Sequence, residues 1–205
     1  MSIILQKGDL LAIIVGFVMV ISLTISDKKE LMKLNTTTST KLEEALNSLK
    51  ESRDRLSKIE SARKNALFTY IQKKYRNIPS LVANEIAEQT VKKCEEHNAP
   101  FVVIVGIMET ESGFNPGKTS SKRARGLMQV MHDYWGNKQK IPSQFDLHEI
   151  DVGIEAGIKI FMDFYNEEKT ISGALKKYLG GFDKNYQMKV FEAVSSFVFH
   201  MAEMK

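Results

Sequence analysis

Residues 101–108, FVVIVGIM, form an unbroken apolar run that leads straight into Glu109-Thr110-Glu111-Ser112 and then into Gly113-Phe114-Asn115-Pro116. Pro116 cannot continue a helix, and it biases Asn115 away from helical angles. This places Glu111 in the last turn of a buried helix or just past it. A polar, basic loop follows over residues 117–125, and the chain turns apolar again at Gly126-Leu127-Met128-Gln129-Val130-Met131. A carboxylate at the end of an apolar helix, faced by a loop that returns with one Gln, describes the wall of a cleft. Burial raises a carboxyl pKa, and a Glu kept neutral near pH 7 can donate a proton.

The rest of the chain reads as helices. Residues 10–25 are uncharged and almost wholly apolar, with Lys7, Lys28 and Lys29 outside them. As a helix they span roughly 24 Å, against a hydrocarbon core of about 30 Å that flanking lysines can help to bridge. A single transmembrane anchor is the first expectation; a signal peptide and a buried core helix are the alternatives. Residues 34–40, LNTTTST, predict a polar linker, with Thr40 and Glu43 as a capping box for the next helix. From 41 to 75 the pattern is helical, with Leu42, Leu49 and Leu56 seven residues apart and Ala45, Ile59 and Ala66 at the companion positions. Ser52 and Arg63 interrupt that seam. A stalk that forms a homo-oligomer through 41–66 and a single amphipathic helix explain the pattern equally well. Asn77-Ile78-Pro79 breaks it, and Ser80 is placed as the cap of a helix that ends before Asn98-Ala99-Pro100. Further helices are predicted over 149–167, 172–179 and 185–204, after a loop at 132–144.

Several blocks, in order, carry a resemblance. They are Glu111-Ser112-Gly113-Phe114-Asn115-Pro116, then Ser120, then Ala124-Arg125-Gly126-Leu127-Met128-Gln129. Further on come Gly153-Ile154-Glu155-Ala156-Gly157, Ala174-Leu175 with Tyr178 and Gly180-Gly181, and Tyr186 with Val190. Together they resemble the catalytic domain of the soluble lytic transglycosylases, relatives of goose-type lysozymes that cleave the glycan strands of peptidoglycan. The resemblance covers roughly residues 67–205. It implies an all-α, mostly helical, lysozyme-like fold, and it decides for a helix over 101–111, whose β-branched residues would also suit a strand. The expected organisation is an anchor over 1–30, a linker and helical stalk over 31–66, and a lytic transglycosylase domain over 67–205.

The resemblance also implies a site. Glu111 would be the catalytic acid and base, with Ser112, Ser120, Met128, Gln129, Tyr178 and Tyr186 around the substrate. Tyr178 is expected to hold its hydroxyl near Glu111. Glu109 is a poor second acid, because two positions along a helix put it on nearly the opposite side. Asp133, Asp146 and Asp163 lie in no recognisable motif, so a single-Glu mechanism is expected, yielding a 1,6-anhydro-muramyl end. Hydrolysis of goose-lysozyme type and a glycan-binding or assembly role are the alternatives. Four departures from the family pattern bear on the site: Arg123 where a Gly is usual, Leu179 where an Asn is usual, His132 where a Pro is usual, and Gly153 where an Asn is usual. An Arg takes a positive φ only at a cost, so the loop is expected to run differently there.

Charge and composition narrow the partners. The chain carries a net charge of +4, with no aromatic-interleaved basic stretch, which argues against nucleic acid. His97, His132, His148 and His200 are scattered without metal-ligand spacing, so neither a metal nor a cofactor is expected. The lone Cys94 allows no disulfide within the chain. The expected partners are peptidoglycan glycan strands and, through residues 10–25, a membrane. Lys28, Lys29, Lys33 and Lys41 follow the apolar run, and by the positive-inside bias they would hold the catalytic domain in the cytoplasm. A peptidoglycan substrate requires the opposite. The resulting expectation is a membrane-anchored enzyme facing the wall, from the periplasmic side of an inner membrane or from a virion membrane.

Overall fold

The computed structural model describes residues 7–181 and 183–204, without the side chains at 7–14, 23, 24, 31 and 34. The chain is mostly helical and divides into two compact units, Met1–Ser57 and Lys58–Lys205.

The first unit consists of helix α1 (Lys7–Lys74) up to Ser57. Helical geometry runs through residues 34–40, so neither the linker nor the Thr40 cap forms. The threonines explain why. Thr36 and Thr37 donate to the Lys33 carbonyl at 2.9 and 2.8 Å, and Thr40 donates to Thr36 and Thr37 at 3.2 and 3.0 Å. Their hydroxyls bond back to the preceding turn instead of competing with it. Leu42, Leu49 and Leu56 stand exposed.

The expected membrane anchor is not supported. Among the described residues no helix is long and apolar enough to cross a membrane. The run 10–25 is too short by itself, and charge returns at Asp27, Lys28 and Lys29. The side chains at 10–14, 23 and 24 lie outside the described residues. The anchor through 10–25 and the membrane-anchored localisation are corrected accordingly.

The second unit is built around α3 (Phe101–Ser112). Phe101, Val103, Ile104, Val105, Ile107 and Met108 are all buried, so the helix is apolar on every side and must be covered all round. The end of α1 contributes Leu67, Tyr70 and Ile71 to the same core, and α2 (Ser80–Glu96) adds Ile86 and Ala87. The N-cap of α2 is Pro79, with Ser80 already helical and its hydroxyl on Gln72 at 2.6 Å, so Ser80 is not the cap. α7 (Lys184–Glu203) packs along α3, brought close by Gly106, where a Cβ would stand 3.0 Å from the Val190 carbonyl oxygen. Cys94 is buried, and burial pushes its thiol up to about 12, which makes it an inert packing residue.

Between α3 and α5 lies the irregular part that shapes the site. Strands β1 (Ala124–Arg125) and β2 (Val130–Met131) pair antiparallel, Ala124 opposite Met131 and Arg125 opposite Val130. The tip of this hairpin folds inward, burying Leu127 and Met128. α4 (His132–Trp135), a short 3-10 turn (Asp146–His148), α5 (Ile150–Glu168) and α6 (Ile171–Tyr178) follow. Two glycines let the hairpin seat. A Cβ on Gly126, whose φ is +76°, would stand 1.9 Å from the Leu147 carbonyl oxygen, and one on Gly157 would stand 2.5 Å from the Met128 side chain. Backbone and thioether therefore occupy space that any other residue would fill.

Candidate active site

Helix α3 ends as the Pro116 break predicts. Gly113 caps it in the left-handed region at φ 60°, donating to the Glu109 carbonyl at 3.0 Å. Phe114 follows at φ 59°, fully buried, with its ring 5.4 Å from that of Tyr75 and 6.5 Å from that of Tyr70. Burying a Phe is worth about 2–3 kcal/mol, enough to carry the ~1–2 kcal/mol cost of a left-handed non-glycine residue. This turn fixes the last residues of α3, Glu111 among them.

The two glutamates of α3 point to different neighbourhoods. Glu109 accepts from Tyr70 and Tyr75 at 2.9 Å each and from Lys74 at 2.5 Å. Glu111 is half-buried and accepts at Oε1 from the Tyr186 hydroxyl at 2.7 Å. Burial pushes the Glu111 carboxyl above the ordinary carboxylate range. The Tyr186 hydrogen bond and the Lys118 charge pull the other way without cancelling it. Tyr186 is held in the first turn of α7, where Asp183 caps the helix by accepting from the Asn185 and Tyr186 amides at 2.8 and 3.4 Å.

Glu111 opens on a cleft of about 240 Å³. Its polar walls are Glu111, Ser120, Lys122, Gln129 and Tyr178. Its apolar walls include Val130, Met131, Trp135, Ile160 and Leu179. Among the described residues, Glu111 is the only acid in the lining. Asp133 is paired with Arg123 at 2.5 Å, Asp163 with Lys138 at 2.9 Å, and Asp146 accepts from the Ser143 amide at 3.0 Å; none of the three lines the cleft. Larger grooves, of about 420 Å³ between α1 and α2 and about 490 Å³ along α5, contain none of residues 108–131. Paired surface charges such as Lys64 with Glu88 and Lys159 with Glu155 line them. The smaller cleft is therefore the candidate site.

Of the residues expected around the substrate, Ser120, Gln129 and Tyr178 reach the cleft. Gln129 sits at φ 50° and spends its amide hydrogens on the Gly126 and Lys118 carbonyls, at 2.9 and 3.2 Å. Ser120 closes the loop, its hydroxyl accepting from the Ala124 amide at 3.0 Å. Ser112 and Met128 do not line the cleft. The Ser112 hydroxyl is buried against the Met108 carbonyl at 2.9 Å, and the Met128 side chain is core, packed on Gly157. The tyrosines exchange the expected parts. Tyr178 donates to the Met128 carbonyl at 2.8 Å, and Tyr186 is the one bonded to Glu111. Burial, and then the Glu111 charge, raise both phenols far above their usual range, so both remain hydrogen donors.

The sequence did not single out Lys118 or Lys122. The Lys118 ammonium donates to the Glu111 carbonyl at 2.5 Å, and its own carbonyl receives the Gly126 amide at 3.0 Å. It thereby ties the helix end to the hairpin. A lysine in a basic loop carries no signal of that kind. Arg123 takes φ 65°, so the loop adopts the left-handed turn despite the missing glycine. His132 points to the Ile141 carbonyl at 2.9 Å, outside the cleft lining.

Comparison with known proteins agrees with the blocks that carry the resemblance. No curated protein and no solved structure matches the chain. The transglycosylase SLT domain family model matches residues 88–192, which take in α3, the hairpin, α5, α6 and the Tyr186 turn of α7. That stretch is just over half of the 205 residues, and on it this chain belongs to the transglycosylase SLT domain family.

Proposed function

We propose that this protein is a lytic transglycosylase that cuts peptidoglycan glycan strands, with Glu111 as its single acid and base. The observation that carries the proposal is a half-buried carboxyl on the wall of a cleft that, among the described residues, has no second acid in its lining; burial pushes that carboxyl above the ordinary range. Protonated, Glu111 gives its proton to the oxygen that bridges N-acetylmuramic acid to N-acetylglucosamine, and that C–O bond breaks. Positive charge develops on the muramyl C1, and the substrate's own N-acetyl oxygen stabilises it. Glu111 is now a carboxylate. It takes the proton from the muramyl 6-hydroxyl as that oxygen bonds to C1. The proton lost in the first step returns in the second, and no water is consumed. A 6-hydroxyl on the same sugar is already in position, which favours it over a free nucleophile. An inverting hydrolase would need a second carboxylate 6.5–9.5 Å away to activate water.

Tyr186 orients the acid through Oε1, and Gln129, with Ser120 beside it, offers polar contacts to sugar hydroxyl and N-acetyl groups. Residues 67–205 would make up the catalytic domain. Mass spectrometry of products released from purified sacculi tests the proposal. Muropeptides ending in 1,6-anhydro-muramic acid are expected. Reducing ends would assign a hydrolytic muramidase instead, and an absence of release would leave a glycan-binding or assembly protein.

A further inference from the structure

The loop beside Glu111 carries four cations, Lys118, Lys122, Arg123 and Arg125, and three of them are engaged. Lys118 donates to the Glu111 carbonyl, and Arg123 pairs with Asp133. Arg125 donates to Gln144 at 2.9 Å, its guanidinium 5.1 Å over the Phe145 ring. Lys122 lines the cleft and, among the described residues, makes neither an ion pair nor a hydrogen bond. Among the described residues it is the only cation on the cleft wall. Its backbone is nonetheless fixed. The turn that carries it is closed by the Arg123 amide on the Ser120 carbonyl at 2.9 Å and by the Ala124 amide on the Ser120 hydroxyl. The charge that acts on the Glu111 carboxyl is that of Lys118, which leaves the Lys122 ammonium to face whatever occupies the cleft.

N-acetylated sugars offer that ammonium no charge. The anion on a peptidoglycan strand sits on the muramyl substituent, as a stem-peptide carboxylate or, once the peptide is removed, as the lactyl carboxylate. We propose that Lys122 is a specificity-determining residue that binds a carboxylate of the muramyl substituent, so that the cleft prefers acidic muropeptides to neutral N-acetylglucosamine oligomers. The inference rests on the glycan-strand reading of the cleft. An ion pair at a partly solvated cleft wall is worth a factor of about three to five in affinity at low salt, and salt screens it.

Equilibrium dialysis of the full chain with labelled ligands tests this. The ligands are a disaccharide-peptide muropeptide, the same disaccharide stripped to its lactyl carboxylate, and an N-acetylglucosamine oligomer. In Lys122→Met the Kd for at least one acidic ligand should rise about three- to fivefold, while that for the neutral oligomer stays the same. Lys122→Arg should restore it. A loss confined to the muropeptide assigns the stem peptide, and a loss confined to the stripped disaccharide assigns the lactyl group. Equal loss for all three ligands, or none, overturns the role of Lys122 while leaving the glycan reading intact. If no glycan binds the unsubstituted protein, the glycan reading fails, and Lys122 loses its role with it.

Discussion

The Tyr186 hydroxyl meets Oε1 of Glu111 at 2.7 Å, joining the first turn of α7 to the last turn of α3. The two residues are 75 positions apart in the chain. Their bond holds one carboxyl oxygen of a residue that lines the cleft. It also opposes burial in setting the acid's proton affinity.

Glu111→Gln should reduce release of muropeptides from sacculi about 100-fold or more, because Gln matches the size of the acid without its proton. Circular dichroism and thermal unfolding should show an intact fold. Near-normal release by the folded variant would remove Glu111 from the mechanism.

Activity should fall on the alkaline side as Glu111 ionises, at a pH above that of an ordinary carboxyl. Tyr186→Phe removes a hydrogen bond that favours the ionised form, so this limb should move to higher pH, with a stability loss of about 1 kcal/mol. Stability follows the same proton. A raised folded-state pKa means that the contribution of Glu111 is full below about pH 4.3, where an unfolded Glu ionises, and is lost as pH rises through the raised value. Profiles of kcat/KM against pH for both proteins decide, and a limb that stays put or moves down in Tyr186→Phe contradicts the reading.

Arg123→Gly and Arg123→Ala both delete the exposed pair with Asp133. Only the glycine relieves the left-handed backbone at φ 65°. Denaturant unfolding should find Arg123→Gly more stable than Arg123→Ala by about 1 kcal/mol. Equal stabilities would mean that this backbone is not strained.

Gly126→Ala should cost more than about 2 kcal/mol, because the new Cβ meets a backbone carbonyl as well as a positive φ. The same unfolding measurement checks it. A loss below about 1 kcal/mol would show that the Leu147 segment moves aside easily.

Much of the region around the cleft was legible because its signals are local. Pro116 and Gly113 end a helix by their own geometry, and the Gln129 block comes back as one short apolar run. Less legible were features set by partners distant in the chain. Only the packed fold brings the Leu147 carbonyl against Gly126, or decides which of Tyr178 and Tyr186 reaches Glu111. Residues 34–40 misled for the opposite reason. Their composition favours a turn, yet each threonine hydroxyl named above finds a carbonyl one turn back, and the helix absorbs them. Lys122 gave no sign, since an unpaired lysine in a basic loop looks like any surface residue until the cleft is closed around it.

The apolar side chains of α3 do little by themselves to say which way round the helix should sit. A turn of about 100° about its axis would bring a side chain to where Gly106 meets α7 and carry Glu111 off its tyrosine. Glu109 opposes that turn from another side. With only 7% of its side chain exposed and three donors closing on it, it acts as a key in a slot on the flank of the helix away from the cleft. The angular setting of Glu111 is thus set in part by a residue that does not line the cleft, and sequence change at Tyr70, Lys74 or Tyr75 would detune the cleft from behind.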